Sequence, residues 1–260
     1  MKLMHLSDLH LGKRVNGFSM LEEQRFILEQ ILQLVQAEQP QGVLLAGDLF
    51  DKPTPPAEAV SLLDDFLAGL SHLGCTIFAI SGNHDSPERI AYGGRLLRHS
   101  GVHMSPVYGG SISPITLEDD LGPVDFYLLP FLKPAYLRSV MPETEIHSCQ
   151  EAVEKALEGL PVDPRRRNVL VAHQFVAGAQ VLEQEELLIG GSDGVDAALF
   201  RDFDYVALGH LHGPQSVGRD TLRYCGTPLK YSFAEASHHK SVTLVELDAK
   251  GQVTLNLLPL

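Results

Sequence analysis

The chain has 260 residues, 44% apolar and 20% charged. That excludes a disordered polypeptide and allows a core that folds without disulfides or a structural metal. Twenty Lys and Arg against thirty-three Asp and Glu leave a net charge of −13, which argues against a simple basic nucleic-acid binder, since phosphate backbones are met by Lys and Arg. Cys75, Cys149 and Cys225 are far apart and lack metal-ligand spacing, so they fit a disulfide framework or zinc knuckle poorly and a reduced, cytoplasmic compartment is expected. The amino terminus runs straight into a polar motif, so no leader is expected, and no apolar run approaches the ~20 residues of a membrane span.

In chain order, residues 2–7 read as a buried strand and 19–39 as an amphipathic helix, with Met20, Ile27, Ile31, Leu34 and Val35 near a 3.6 period and Pro40 as its stop. Residues 42–46 are a second strand, 56–70 a second helix and 76–81 a third strand. Asp85-Ser86-Pro87-Glu88 then opens a third helix, predicted over 88–99 with apolar Ile90, Tyr92, Leu96 and Leu97 packed on a sheet or facing a second protomer. This alternation predicts crossover units on a largely parallel sheet. The second half is strand-rich, at 124–129, 168–172, 205–209, 222–225, 242–247 and 253–258, with one clear helix at 148–159. Residues 105–123 and 175–198 are the least regular. The expectation is one α/β domain over 1–260, with two sheets packed together and helices outside.

The polar residues at the strand ends carry the chemistry. Five predicted strands each deliver an Asp, Asn or His just past their carboxyl ends: Asp8-Leu9-His10, Gly47-Asp48 with Asp51, Gly82-Asn83-His84-Asp85, His173, and Gly209-His210-Leu211-His212. In open α/β sheets that edge is where ligands bind. Asp8 and His10, like His210 and His212, are two apart and can turn to one ion. Imidazole, carboxylate and amide donors without thiolate suit Mn²⁺, Fe²⁺ or Zn²⁺. A carboxylate such as Asp48 can bridge two ions, and a pair about 3.5–4 Å apart can clamp a phosphoryl group for in-line attack. The glycines at 47, 82 and 209 permit close backbone approach. Singly, each motif has a blander reading: a turn, a helix cap at Asp85, a core histidine at 173. Together they predict a metal site.

This set resembles that of the calcineurin-like metallophosphoesterases over nearly the whole chain. The resemblance implies a four-layer αββα sandwich of two mixed β-sheets flanked by helices, with a dinuclear centre. By that likeness Asp8, His10, Asp48 and His212 hold one ion, and Asp48, Asn83, His173 and His210 the other. His84 is then the histidine that contacts phosphate and protonates the leaving oxygen. Asp51 stands where some members keep an Asp that pairs with that catalytic histidine.

Phrases outside the metal motifs, MKLMHLSDLHLGKR, GDLFDKPTPP, PFLKP, YVALGHLH and RYCGTPLKYSFAE, resemble the SbcD-type nuclease subunits of bacterial SbcCD complexes. That likeness implies a Mn²⁺-dependent DNA exo- and endonuclease acting on double-stranded ends and hairpins in repair and recombination, with Mg²⁺, Fe²⁺ or Zn²⁺ as other candidate ions. It also implies a homodimer bound to a coiled-coil ATPase of the SbcC type. Members of that group continue past the phosphoesterase core into a cap and an ATPase-binding segment; this chain ends at Leu260, and both are expected to be absent from it. Lys13 and Arg14 could reach a phosphate or lie in solvent, and Arg165-Arg166-Arg167 is expected to be a solvated charge cluster. His238 and His239 match no ligand position and are expected at the surface. Two rival readings are a small-molecule phosphodiesterase or phosphatase on the same scaffold and a catalytically silent DNA- or partner-binding module.

Overall fold

The computed structural model describes residues 1–181 and 194–260. β1 (Lys2–Leu6) is followed by a hairpin of β2 (Arg14–Val15) and β3 (Phe18–Ser19), then α1 (Leu21–Glu38), β4 (Gly42–Ala46), α2 (Ala57–His72) and β5 (Thr76–Ile80). Two short helices, α3 (Pro87–Ala91) and α4 (Gly94–Leu97), precede β6 (Val102–Met104). Next come β7 (Ile115–Asp119), β8 (Gly122–Leu129), α5 (Pro134–Val140), α6 (Cys149–Glu158) and β9 (Arg167–His173). β10 (Tyr205–Gly209), β11 (Gln215–Val217), β12 (Arg219–Tyr224), β13 (Ser241–Leu247) and β14 (Val253–Pro259) complete the described strands.

Two six-stranded mixed sheets result, in the orders β14-β13-β1-β4-β5-β6 and β11-β12-β10-β9-β8-β7. β1, β4, β5 and β6 run parallel, as do β8, β9, β10 and β12, while β7, β11, β13 and β14 pair antiparallel with their neighbours. Alternation along each strand splits its side chains between two cores. On β4, Leu44 and Ala46 face the other sheet, whereas Val43 and Leu45 pack toward α1 and α2. Phe78 stacks on Phe126 between the sheets, with ring centroids 4.2 Å apart. α5 and α6 cover the second sheet through Leu137, Ala152, Val153 and Ala156. The architecture is the expected αββα sandwich of two mixed sheets. Among the described residues, no helix is long and apolar enough to cross a membrane, and Cys75, Cys149 and Cys225 are buried and form no disulfide.

Some local expectations change. The helix expected over 88–99 is broken at Gly93, whose φ of 73° lies in the left-handed region. Ile90 is buried, but Tyr92 and Leu96 are 85% and 77% exposed, so that apolar stripe does not pack on the sheet. α5 has too little length to show a helical period, since it spans barely two turns, opened by Pro134. β7 lies inside 105–123, and its antiparallel partner β8 supplies the order that its own residues do not announce. The stretch 175–198 lies partly outside the described residues. The arginine run is not a solvated cluster. Arg167 is 4% exposed, pairs with Asp119 and donates to the Leu247 carbonyl at 3.2 Å. Arg166 pairs with Asp125 at 3.1 Å, and Arg165 alone is largely solvated, beside Asp163.

Candidate metal centre

The carboxyl ends of β1, β4, β5, β9 and β10 meet at one edge of the sandwich, and the loops leaving them are tied together by main-chain bonds. Asp8, His10 and Leu11 donate their amides to the carbonyls of Gly47, Asp48 and Leu49 at 3.0, 2.9 and 3.0 Å. The loop after β1 thus lies beside the loop after β4. Asp85 ties in the loop after β5: its buried carboxylate accepts from the amides of Leu49, Phe50 and Gly82 at 3.1, 2.9 and 2.9 Å. Asp85 is therefore a clamp between loops, and the side-chain cap of α3 is Ser86. Burial, with the nearby Asp48 carboxylate, raises the Asp85 carboxyl to about 6 despite its amide donors.

The backbone is strained where the donors sit. Asp8, His10, Asp48 and His210 have φ of 53°, 45°, 50° and 106°. Non-glycine residues avoid these values at a cost of about 1–3 kcal/mol each, and such strain gathers at functional sites. Two glycines let the strands close on the site. A Cβ at Gly209 would overlap the Ala46 carbonyl oxygen and stand 2.7 Å from His173 Nδ1. A Cβ at Gly82 would overlap the Asp48 carboxylate.

All seven expected ligands converge. One donor atom from each of Asp8, His10 and His212 falls within a 4.8 Å cluster, and Asp8, Asp48 and His173 form another. His10 Nε2 and His212 Nε2 face each other at 3.2 Å. Asn83 Oδ1 lies 3.0 Å from His173 Nε2 and 2.9 Å from His210 Nδ1. His173 is oriented by Nδ1, which donates to the Ala46 carbonyl at 2.7 Å, leaving Nε2 toward Asp48 at 3.4 Å. The His210 ring stacks on Phe131, and its amide donates to both Asp8 oxygens at 3.1 Å.

The electrostatics ask for a cation. Burial disfavours charge on His173, but the Asp48 carboxylate outweighs it and raises the ring to about 9. Burial likewise works against charge on Asp48, yet His173, His10 and His84 hold its carboxyl well below the usual carboxylate range. Burial and then the His173 charge depress His210 to about 3. Burial also holds His10 well below its ordinary value and raises Asp8. Facing imidazole nitrogens, a converging amide oxygen and two buried carboxylates fit two borderline-hard divalent ions.

His84 behaves differently. Its amide donates to Asp48 Oδ1 at 2.8 Å, and its Nδ1 bonds the Asp51 main-chain carbonyl at 2.9 Å. A carbonyl only accepts, so Nδ1 carries the hydrogen and Nε2 is left for a ligand. His84 also shares a cluster with His10 and Asp48. The expected route from Asp51 to His84 is corrected here. The Asp51 carboxylate points elsewhere, accepting from Lys13 Nζ at 2.8 Å, and the main chain does the orienting. Lys13, for which sequence allows either phosphate or solvent, is in this ion pair.

Supporting groups come from segments that carried no functional expectation. Gln24 on α1 donates to the His10 carbonyl at 2.8 Å and to Tyr231 Oη at 3.0 Å, and Tyr231 donates in turn to the Leu9 carbonyl. Glu235 stands 3.1 Å from His212 Nδ1. Their one sequence signal is the phrase RYCGTPLKYSFAE, which holds Tyr231 and Glu235. His238 is half-buried and His239 exposed.

A two-sheet sandwich with this donor set at its strand ends defines a metal-dependent phosphoesterase class. The sequence profile of the calcineurin-like phosphoesterases matches residues 1–214, and the chain belongs to that family. It is also similar, at 34% identity over its whole length, to the SbcD component of the nuclease SbcCD from Staphylococcus epidermidis, of which it covers 70%. The same holds at 34% for the component of that name from Staphylococcus saprophyticus, of which it covers 69%. Among solved structures, a dimetal phosphatase from Danio rerio superposes with a TM-score of 0.59 at 13% identity, covering all of this chain and 98% of the other. That last likeness is one of fold.

Proposed function

We infer that this chain is the cutting core of a DNA nuclease of the SbcD type, hydrolysing phosphodiester bonds at double-stranded ends and hairpins. The observation that carries the reading is the pairing of a complete two-metal donor set with a separate histidine, His84, whose Nε2 is left free by the Asp51 carbonyl. The likenesses to two SbcCD nuclease components, over the whole of this chain and about 70% of theirs, supply the substrate class.

Asp8, His10 and His212 would hold one ion, Asn83, His173 and His210 the other, and Asp48 would be shared. When bound, the ions, Mn²⁺ by the same likeness, supply Lewis-acid stabilisation of the phosphoryl oxygens and a water of lowered pKa. His84, anchored through Nδ1–H, gives a proton from Nε2 to the departing sugar oxygen when the ring is an imidazolium. Its amide, bound to Asp48, keeps ring and shared ligand in register. Two divalent ions would also add four positive charges at the substrate's landing point in a chain of net −13, so the loaded active edge would attract phosphate.

The reading includes partners. A homodimer would cover the exposed Tyr92 and Leu96. An SbcC-type ATPase partner would supply DNA grip beyond that of the acidic core. The test is end-labelled linear duplex and hairpin DNA incubated with Mn²⁺, Mg²⁺ or EDTA, with His84→Ala as control. Metal-dependent cleavage lost in the variant supports the reading. Intact DNA beside rapid turnover of a cyclic nucleotide or phosphomonoester overturns it.

A further inference from the structure

We propose that Glu235 is a positioning residue for the metal centre: it fixes the tautomer of His212 so that Nε2 presents a lone pair to the ion. The assignment rests on the chemistry of the atoms in contact. Glu235 is 1% exposed, and its Oε1 lies 3.1 Å from His212 Nδ1. Its other oxygen, Oε2, is taken by Lys240 Nζ at 2.7 Å. An ionised carboxylate only accepts, so the hydrogen between Glu235 and His212 sits on Nδ1. In the neutral ring Nε2 then carries no hydrogen, and it is the atom that faces His10 Nε2 at 3.2 Å.

The arrangement holds both ends of His212. Lys240 is 7% exposed and donates to the His212 carbonyl at 3.0 Å as well as to Glu235. It offsets the charge of the buried acid and fixes the backbone from which the ring projects. The Thr227 amide reaches the same carbonyl at 3.2 Å, and the Ser232 hydroxyl reaches Glu235 Oε1 at 3.3 Å. A histidine ligand whose second nitrogen donates to a carboxylate is a recurrent way to set ring orientation and strengthen the donor, and its loss costs about 10–100-fold in metal affinity. His173 and His84 use main-chain carbonyls for this purpose. His212 uses a side chain, which a substitution can alter without touching the backbone.

Glu235→Gln discriminates sharply. The cation Lys240 claims the single amide oxygen, the amide NH₂ turns to His212 Nδ1, and the ring must move its hydrogen to Nε2, where it blocks the ion. Removing the cation as well frees the oxygen for Nδ1–H, so Glu235→Gln with Lys240→Met should recover the lone pair on Nε2.

Two measurements without DNA test this, so their outcome is separate from the nuclease reading. The first is ¹⁵N NMR of histidine-labelled, metal-free wild type, with His212 assigned through His212→Asn. A hydrogen on Nδ1 and none on Nε2 supports the proposal; the reverse overturns it, and no Glu235 variant need fold for this result. The second is calorimetric titration with Mn²⁺. Glu235→Gln should weaken one of two ions by about 10–100-fold and leave the other unchanged, and the double variant should regain most of that loss. Wild-type affinity for both ions in Glu235→Gln, or a double variant as weak as the single one, overturns it.

Discussion

The two halves of the proposed metal centre are built by different means. The half formed by Asp8, His10 and His212 is held by side chains: Gln24 and Tyr231 fix the His10 loop, and Glu235 with Lys240 fixes His212. The half formed by Asn83, His173 and His210 is held by main chain and by close approach. The Ala46 carbonyl orients His173, and Gly209 lets its strand lie against both. The first half is open to tuning by substitution of residues far along the chain. The second is set by the packing of the two sheets, where a Cβ at Gly209 would overlap the Ala46 carbonyl oxygen.

In the proposed assignment Asp48 serves both ions, so its loss should have the largest effect. Asp48→Ala should lower occupancy of both ions together and abolish cleavage, as read by metal analysis of the dialysed protein. Two fully bound ions in that variant would break the bridging assignment. His84→Ala belongs to neither half. It should keep both ions yet lose about 10²–10⁴-fold in kcat, the usual worth of a positioned proton donor. Near wild-type cleavage would remove it from the chemistry.

Gly209→Ala falls on the half set by packing. Its Cβ overlaps the Ala46 carbonyl oxygen and crowds His173. Overpacking of this kind should cost about 1–3 kcal/mol in denaturant unfolding, with the ion at His173 and His210 lost before the one at His10 and His212. Equal loss of both ions would mean that the halves are not independent.

The pH dependence of the metal-free chain sharpens the same contrast. His173 keeps its proton up to about 9 in the folded state against an ordinary 6.5. Folding thus retains a proton that the unfolded chain releases, so its contribution is complete below about 6.5 and disappears as pH rises through about 9. His210, depressed to about 3, opposes folding as pH falls below 6.5. In EDTA the melting temperature should therefore fall on the alkaline side. Saturating Mn²⁺ should remove that fall, since the ring must be neutral to bind an ion. A profile unchanged in His173→Gln would assign the effect elsewhere. The smallest change is expected for Asp51→Ala. Its carboxylate serves a partly exposed pair with Lys13, worth about 0–1 kcal/mol, while its carbonyl remains to hold His84. A loss as large as that of His84→Ala would restore a direct role for the carboxylate.

Much of this was legible in one dimension because strand ends are short-range features. Asp8 and His10, Asn83 and His84, and His210 and His212 sit immediately after β1, β5 and β10, and a buried strand followed by glycine and a polar residue shows in the apolar pattern. The alternation of helix and strand likewise announced the parallel order of β1, β4 and β5. Less legible were elements whose order comes from a neighbour, such as β7 against β8, and the helix over 88–99, where Gly93 outweighs the apolar period. Asp51 was found by its spacing, but spacing does not say whether a residue acts through side chain or carbonyl.

Residue types, their order and their place after strands thus sufficed for the sandwich and for the set of side chains that converge at its edge. Tertiary structure decided which atoms hold those ligands. Glu235 lies 23 residues from His212, Gln24 lies 207 from Tyr231, and Ala46 lies 127 from His173. The physical reason is range: backbone conformation and burial period are written locally, whereas a hydrogen bond between distant segments exists only after two sheets have packed and brought their ends within about 3 Å.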